Sequence, residues 1–491
     1  MIRALPFVLL ATAASADPLF ENRSGGIPDH IYSGGWEHFV GGGVAVFDCN
    51  GDTLPDVFAA GGETPAALFR NMGDFTFVAA TIPALTGVTG AYPLDINADG
   101  LMDLFVMRVG PNIVLQGTGN CAFSDATDAL TIPADDQWTT AFSAWWDTDG
   151  KPTMAIGNYV DRFDPEGPFE ACDRNHILRP TADGYATAPL NPGFCPLSML
   201  ASIDARGRPT LRISNDRHYY VRGGYEQMWD IAYERFLGPA DGWQNVSLWG
   251  MGIASRDLTG DGRDEVMMTS MGDQLLQIAQ PDGTYVAAPY AIGTYAQRPY
   301  TGGDGRPSTG WHAQFGDVDN DGRADLFIAK GNVDQMPGLA MQDPNNLLMQ
   351  NENGQFSETG GGAGIASTDR SRGAALVDFD GDGRLDLIVM NRRAPIELYR
   401  NVTADTGHWL RIALSQSGGN RNAIGAVISV KTETTQSQQV TIGGGHAGGQ
   451  ALPLHFGLGP ATNATVTITW PDGTASSHST QSDRQITLTK P

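Results

Sequence analysis

Cysteine is scarce in this chain, and so is positive charge. Four cysteines occur among 491 residues, and 31 Lys and Arg face 55 Asp and Glu, a formal charge of −24. A surface this acidic repels phosphate backbones and anionic headgroups, so no nucleic-acid partner is expected and anionic membranes are poor partners. Beyond residue 16, no apolar run approaches the roughly 20 residues a membrane-spanning helix needs. A Gly-x-Ser-x-Gly elbow and a His-Glu-x-x-His pair are also missing, so serine-hydrolase and zinc-protease chemistry have no local signature.

The few cysteines come in an even number, which suits an oxidising compartment. Cys172 and Cys195 bracket a Pro-rich insertion and are expected to pair. Cys49 and Cys121 fall in loops that would share a face, and whether they pair is left open. The chain opens with Arg3, an apolar run over residues 5–10, and Ala14-Ser15-Ala16. That pattern predicts a signal peptide over residues 1–16, cleaved after Ala16, and hence a secreted or periplasmic protein.

What the chain has in quantity is one acidic loop, repeated. Asp317, Asp319, Asp321 and Asp325 stand at positions one, three, five and nine of a nine-residue stretch. Asp378, Asp380, Asp382 and Asp386 repeat the spacing, as do Asp48, Asn50, Asp52, Asp56 and Asp95, Asn97, Asp99, Asp103. A fifth copy, Asp257, Thr259, Asp261 and Glu265, carries two substitutions. Carboxylates so close repel one another unless a hard cation gathers them, and Ca²⁺ takes about 6–8 oxygen ligands. Gly at position six permits the wrapping turn, and the absence of His and Cys ligands argues against zinc and copper. The expectation is four to five Ca²⁺ ions, mainly structural, held weakly in the fifth loop. Short apolar runs follow each loop, as at residues 57–60, 104–107, 326–329 and 387–390. These read as strands, which excludes the helical flanks of an EF-hand.

Two worn copies occupy the same slot. Residues 145–150 keep Asp147 and Asp149, and residues 202–207 keep Asp204. Position one then recurs seven times at intervals of 47 to 61 residues, near the size of a four-stranded propeller blade. An outer-strand ending at residues 356–365 reappears at residues 20–27, so the N-terminal strand is expected to complete the seventh unit. The fold class expected is therefore all-β: a seven-bladed propeller over residues 17–404, then a small β-sandwich-like domain over residues 405–491. Alternating runs at 409–412, 426–430, 439–442, 464–470 and 485–488 carry that second domain.

The segments Asn422-Ala-Ile-Gly425, Gly443-Gly-Gly445, His455-Phe-Gly-Leu-Gly459 and Trp470-Pro-Asp-Gly473 resemble the ASPIC/UnbV domain. The upstream loops resemble FG-GAP or VCBS repeats, and the combination resembles the cartilage acidic protein family and its bacterial relatives. The resemblance implies a secreted, calcium-loaded propeller. It departs from the pattern in the third and fourth loops and at His446-Ala447, where an aromatic is usual.

No nucleophile beside a base emerges, and no catalytic residue is assigned. His446, His455 and Asp472 read as structural. Aromatics cluster in the fourth unit, where Trp229, Tyr233 and Phe236 at helical spacing predict a short helix. Tyr219, Tyr220 and Trp229 form the expected ligand patch, near Arg217, His218 and Arg222. The leading function is a non-enzymatic binding or adhesion module for an extracellular glycan or protein. The alternative is a secreted polysaccharide lyase or hydrolase, for which His218 and His312 are the candidate bases.

Overall fold

The structure is a computed structural model that describes residues 17–148, 150–216, 223–295 and 306–491. The chain is all-β, and its strands assemble in sequence order. Val44–Phe47, Asp56–Ala59, Ala67–Asn71 and Phe77–Ala80 form one antiparallel sheet. Five further four-stranded sheets follow along the chain, within residues 88–125, 139–190, 196–236, 250–287 and 310–358. Arg370–Val377, Asp386–Arg392 and Glu397–Asn401 form three strands of another, and Phe20–Asn22 supplies its fourth, pairing Phe20 with Asn401.

Burial follows the position of each strand. Inner strands such as Val44–Phe47 are buried along their whole length, whereas the outer Phe77–Ala80 exposes Val78 and Ala79. A strand covered on both faces tolerates an unbroken apolar run. Each innermost strand touches the next, and the seventh touches the first, so the sheets close on themselves. Closure leaves few free edges for another chain to pair with.

The C-terminal segment forms two facing sheets. Leu454–Gly459, His408–Ser415 and Arg484–Thr489 make one; Thr435–Gln439, Val427–Lys431, Asn463–Thr469 and Ala475–Gln481 make the other. Leu410, Ile412, Ile428, Phe456, Val466 and Trp470 fill the space between them.

Residues 442–451 do something the alternating pattern did not foretell. They leave this module and enter the propeller centre. Ile442 bridges to Ala144, Gly443 to Leu200, Gly445 to Ile253 and Gly448 to Ala91. Gln450–Ala451 then joins the first sheet in parallel with Val46 and Phe47. The glycines are there for close approach: a Cβ on Gly448 would sit 2.0 Å from the Val44 carbonyl oxygen.

The helix expected around Trp229 is absent. Gln227–Asp230 and Arg235–Phe236 are the third and fourth strands of their sheet. Trp229 and Phe236 are paired across a hairpin, their rings 4.9 Å apart. Apolar residues at a spacing of seven meet across a tight turn as readily as along a helix. Tyr219 and Tyr220, with Arg217, His218 and Arg222, lie outside the described residues.

Candidate functional site

Each acidic loop joins the first and second strands of its sheet, so all of them emerge on one face of the propeller. In the sixth loop, carboxylate oxygens of Asp317, Asp319 and Asp325 lie within 4.8 Å of one another; Asp378, Asp380 and Asp386 do the same in the seventh. Hydrogen bonds fix this convergence. Asp317 accepts the backbone N–H of Asp321 at 3.0 Å and of Gly322 at 2.8 Å. Asp325 accepts from Val318 N at 3.0 Å and from Gln350 N, on the third strand, at 2.9 Å.

Position nine plays that second part in every full loop. Asp56 accepts from Cys49 and Asn71, Asp103 from Ile96 and Gly117, and Asp386 from Phe379 and Asn401. Glu265 does likewise in the fifth loop, from Leu258 and Ala279. The carboxylate thus pins its own loop to the neighbouring strand, a role its spacing did not reveal. Around the other acidic positions the loops differ. Asn50 Nδ2 donates to Asp52 at 2.7 Å and Asn97 Nδ2 to Asp99 at 2.8 Å. Arg263, Arg323 and Arg384, at position seven, fold onto Asp261, Asp321 and Asp382. Asp48, Asp95 and Asp257 each accept backbone N–H groups within their loops.

Burial pushes the carboxyl pKa values up. Asp317, Asp325 and Asp386 stand well above the usual range, first through desolvation and then through neighbouring carboxylates. Desolvation also lifts Asp103 and Glu265 to about 7 and Asp56 to about 6. Crowded, desolvated carboxylates with only oxygen donors fit a hard divalent cation. The worn loops have other solutions: Asp204 takes Arg208 Nε and Nη2 at 2.9 and 2.7 Å, and Asp147 takes the Thr153 hydroxyl at 2.6 Å.

The C-terminal module lies over this same face. Arg411 Nη1 bonds Asp378 Oδ2 at 3.0 Å, both side chains buried. His455 Nε2 meets Asn320 Oδ1 at 2.7 Å, Gln439 reaches Ile203 and Asp264, and Arg421 donates to the Ala98 carbonyl. Between ring and module, a cavity of about 320 Å³ is lined by Gln314, Gln438, Gln439 and Gln450 among others.

His312 and His446 are sealed in the centre. His446 N donates to His312 Nδ1 at 3.1 Å, and Gly41 N to His446 Nε2 at 3.3 Å. Burial lowers their pKa values to about 4 and about 3. Asp472 pairs with Lys490 at 2.6 Å.

The opposite face is uncovered by the module. There Trp36, 47% exposed, packs edge-on against Trp138 beside Phe39 and Tyr159. Next to it opens a cavity of about 330 Å³ lined by Trp36, Met251, Met271, Val333, Met336 and Arg393 among others. Arg393 bonds Asp334 at 3.0 Å on its rim. Trp36 was missed because it lies in a short segment ahead of the first acidic loop, with no repeat to mark it. Trp229, by contrast, is half-buried against Phe236. The two disulfides are Cys172–Cys195 and Cys49–Cys121.

Comparison with known proteins agrees with this architecture. Residues 416–491 match the ASPIC and UnbV family, and residues 48–106, 257–328 and 337–389 match the FG-GAP-like repeat. Cartilage acidic protein 1 of Mus musculus is 26% identical over 171 residues, 34% of this chain and 26% of that protein. The Xenopus tropicalis protein is 31% identical over 108 residues, 21% of this chain and 17% of that one. The chain therefore spans about a quarter or less of the curated relatives it matches. Among solved structures, BBS1N in complex with ARL6DN aligns at a TM-score of 0.48 and 10% identity, over 80% of this chain and 99% of that one. An Agrocybe aegerita lectin specific for non-reducing terminal N-acetylglucosamine aligns at 0.33 and 15%, over 67% and 84%. The Dos1 propeller aligns at 0.35 and 10%, over 79% and 97%. The chain carries FG-GAP-like repeats followed by an ASPIC and UnbV domain, and it is a distant homologue of cartilage acidic protein 1.

Proposed function

We infer that this protein is an exported, calcium-braced propeller that binds an extracellular glycan or protein through its uncovered face, without catalysis. One observation carries the reading: the acidic-loop face is occupied by the chain's own C-terminal module, while the other face holds an open cavity beside an exposed tryptophan. A concave, mostly apolar pocket with a few polar groups on its rim is the usual form of a ligand site. Aromatic faces such as that of Trp36 serve sugar rings and protein side chains alike.

Calcium, in this reading, sits in the loops of Asp48, Asp95, Asp317 and Asp378, and more weakly in that of Asp257. Its work is structural: it neutralises buried carboxylates and braces the hairpins. Export is supported by two disulfides, which belong to an oxidising compartment. The enzymatic alternative finds less support, because His312, one of its two candidate bases, is sealed under the central segment with Nδ1 engaged.

The test is retention of glycans and extracellular proteins on the immobilised chain, with product release scored in the same samples. The expected result is retention without breakdown, reduced at least tenfold by Trp36→Ala. Released oligosaccharides, or binding indifferent to Trp36, would contradict the reading.

A further inference from the structure

A strand at the edge of a sheet presents unpaired N–H and C=O groups, and this chain guards nearly all of its edges. Six of the seven outer propeller strands are only two to four residues long. The seventh, Gly184–Leu190, contains Pro189, and the Thr131 hydroxyl bonds both backbone groups of Tyr185. In the C-terminal module, Leu454–Gly459 and Thr435–Gln439 face the ring, through Gly459 N on the Asn320 carbonyl and Gln439 on Ile203. Arg484–Thr489 opens on a charge and is flanked by Asp483 and Lys490. Ala475–Gln481 has none of these guards. Its seven residues, Ala-Ser-Ser-His-Ser-Thr-Gln, hold no Lys, Arg, Asp, Glu or Pro, and its pairing with Asn463–Thr469 runs without a bulge.

The strand register fixes which groups point outward. Trp470 N bonds the Thr474 carbonyl and Ser482 N the Thr462 carbonyl, so the even-numbered residues turn their backbone toward Asn463–Thr469. The N–H and C=O groups of Ala475, Ser477, Ser479 and Gln481 therefore face away from the sheet, and these four residues are exposed. Among those groups, the Gln481 carbonyl takes the Thr480 hydroxyl at 3.2 Å. At the middle of the strand, His478 Nε2 is shielded from water and makes no hydrogen bond. Charge sets the same region apart. Residues 405–491 hold five Lys and Arg against four Asp and Glu, a formal +1 in a chain of −24, and residues 434–471 hold none of either.

We propose that Ala475–Gln481 pairs antiparallel with the same strand of a second copy of this chain, joining their two four-stranded sheets into one. The register centred on His478 engages all four outward residues. Ala475 then meets the partner's Gln481 and Ser477 the partner's Ser479, with about eight new hydrogen bonds. The same register sets the two His478 side chains next to each other. A second copy fits because the strand is its own complement: the pairs across the junction are uncharged, and no like charges meet. The edge lies across the sheet from Thr435–Gln439, which rests on the ring, so pairing there holds two strongly acidic rings apart. A two-fold contact of this kind closes on itself and stops at a dimer. It is one strand wide, so the dimer is weak and forms as concentration rises.

Sedimentation of the full chain, from roughly micromolar to millimolar concentration, reads the dimer directly. Wild type should pass from monomer to dimer over that range. The double variant Ser477→Lys, Ser479→Lys sets lysines opposite one another across the junction, and Ser477→Glu, Ser479→Glu sets glutamates there. Each should weaken the dimer by roughly tenfold or more. Both positions are exposed, so the melting temperature of either double variant should match wild type. Mixing the two should bring the dimer back as a mixed pair, because each lysine then meets a glutamate. Thr487→Lys, on the neighbouring edge strand, should leave association unchanged. A wild type that stays monomeric throughout would overturn the proposal, as would a dimer indifferent to both double variants or one broken by Thr487→Lys instead. A mixture no better paired than its components would overturn it too. So would a monomeric chain that takes up a Ser- and Thr-rich strand peptide, which would assign the edge to another protein.

Discussion

Within each acidic loop, residues of one chemical type do unlike work. Asp52 is exposed at position five, while Asp56 is fully buried at position nine and bonds two backbone N–H groups. Asp52→Asn should therefore leave stability in chelator within about 0.5 kcal/mol of wild type and reduce only the calcium-dependent increment. Asp56→Asn turns an N–H donor toward a backbone N–H, and should cost about 1–3 kcal/mol with or without calcium. Urea denaturation of both variants in calcium and in chelator separates the two. Equal losses in chelator would refute the distinction. The spacing made these residues legible as one repeated acidic loop, because the same intervals recur along the chain. It could not show the pin to the third strand, since that partner lies 15 residues away at Asn71. Arg411 was further out of reach, for its contact with Asp378 depends on how a second domain docks.

Among the elements, the segment over residues 442–451 departs most from its sequence pattern. Residues 439–442 alternate like a strand, but pairing within the module ends at Val440, which exchanges backbone hydrogen bonds with Gly425 and Ala426. The glycines that follow read as loop punctuation, whereas their use is to let backbone slide between inner strands. Gly448→Ala would push a methyl group against the Val44 carbonyl and should loosen this segment, seen as faster amide exchange over residues 442–451. The two central histidines add a pH dependence of definite sign. Unfolded imidazole takes up a proton near pH 6.5, but folded His312 and His446 do not until about 4 and about 3. Between those values the unfolded chain binds more protons, so stability falls as pH falls, by about 1.4 kcal/mol per pH unit for each histidine. Buried carboxylates with raised pKa values contribute the opposite slope to wild type and variant alike, so the readout is the difference: His446→Gln should gain stability relative to wild type as pH falls from 6.5 to 4. A difference that stays constant over that range would mean that folding does not lower the His446 pKa. The helix expected near Trp229 failed for a related reason: a hairpin and a helix can place the same aromatics together.

At the scale of the whole molecule, the repeat period made the ring readable, because one loop per sheet marks every turn of the chain. The return of the N-terminal strand to Glu397–Asn401 followed from a shared ending motif. Which face stays open did not follow, because nothing local records where the module settles. With that face assigned, the proposal makes the acidic loops braces beneath a docked domain and gives binding to the cavity at Trp36. The account stands or falls on whether those loops hold calcium. Each occupied loop adds about 2.7 kcal/mol when free calcium exceeds its Kd a hundredfold, so several together should be plain in a thermal melt. The measurement is the melting temperature of the full chain in calcium and after chelation. The account predicts a clear drop on chelation, reversed by adding calcium back; an unchanged melting temperature would contradict it.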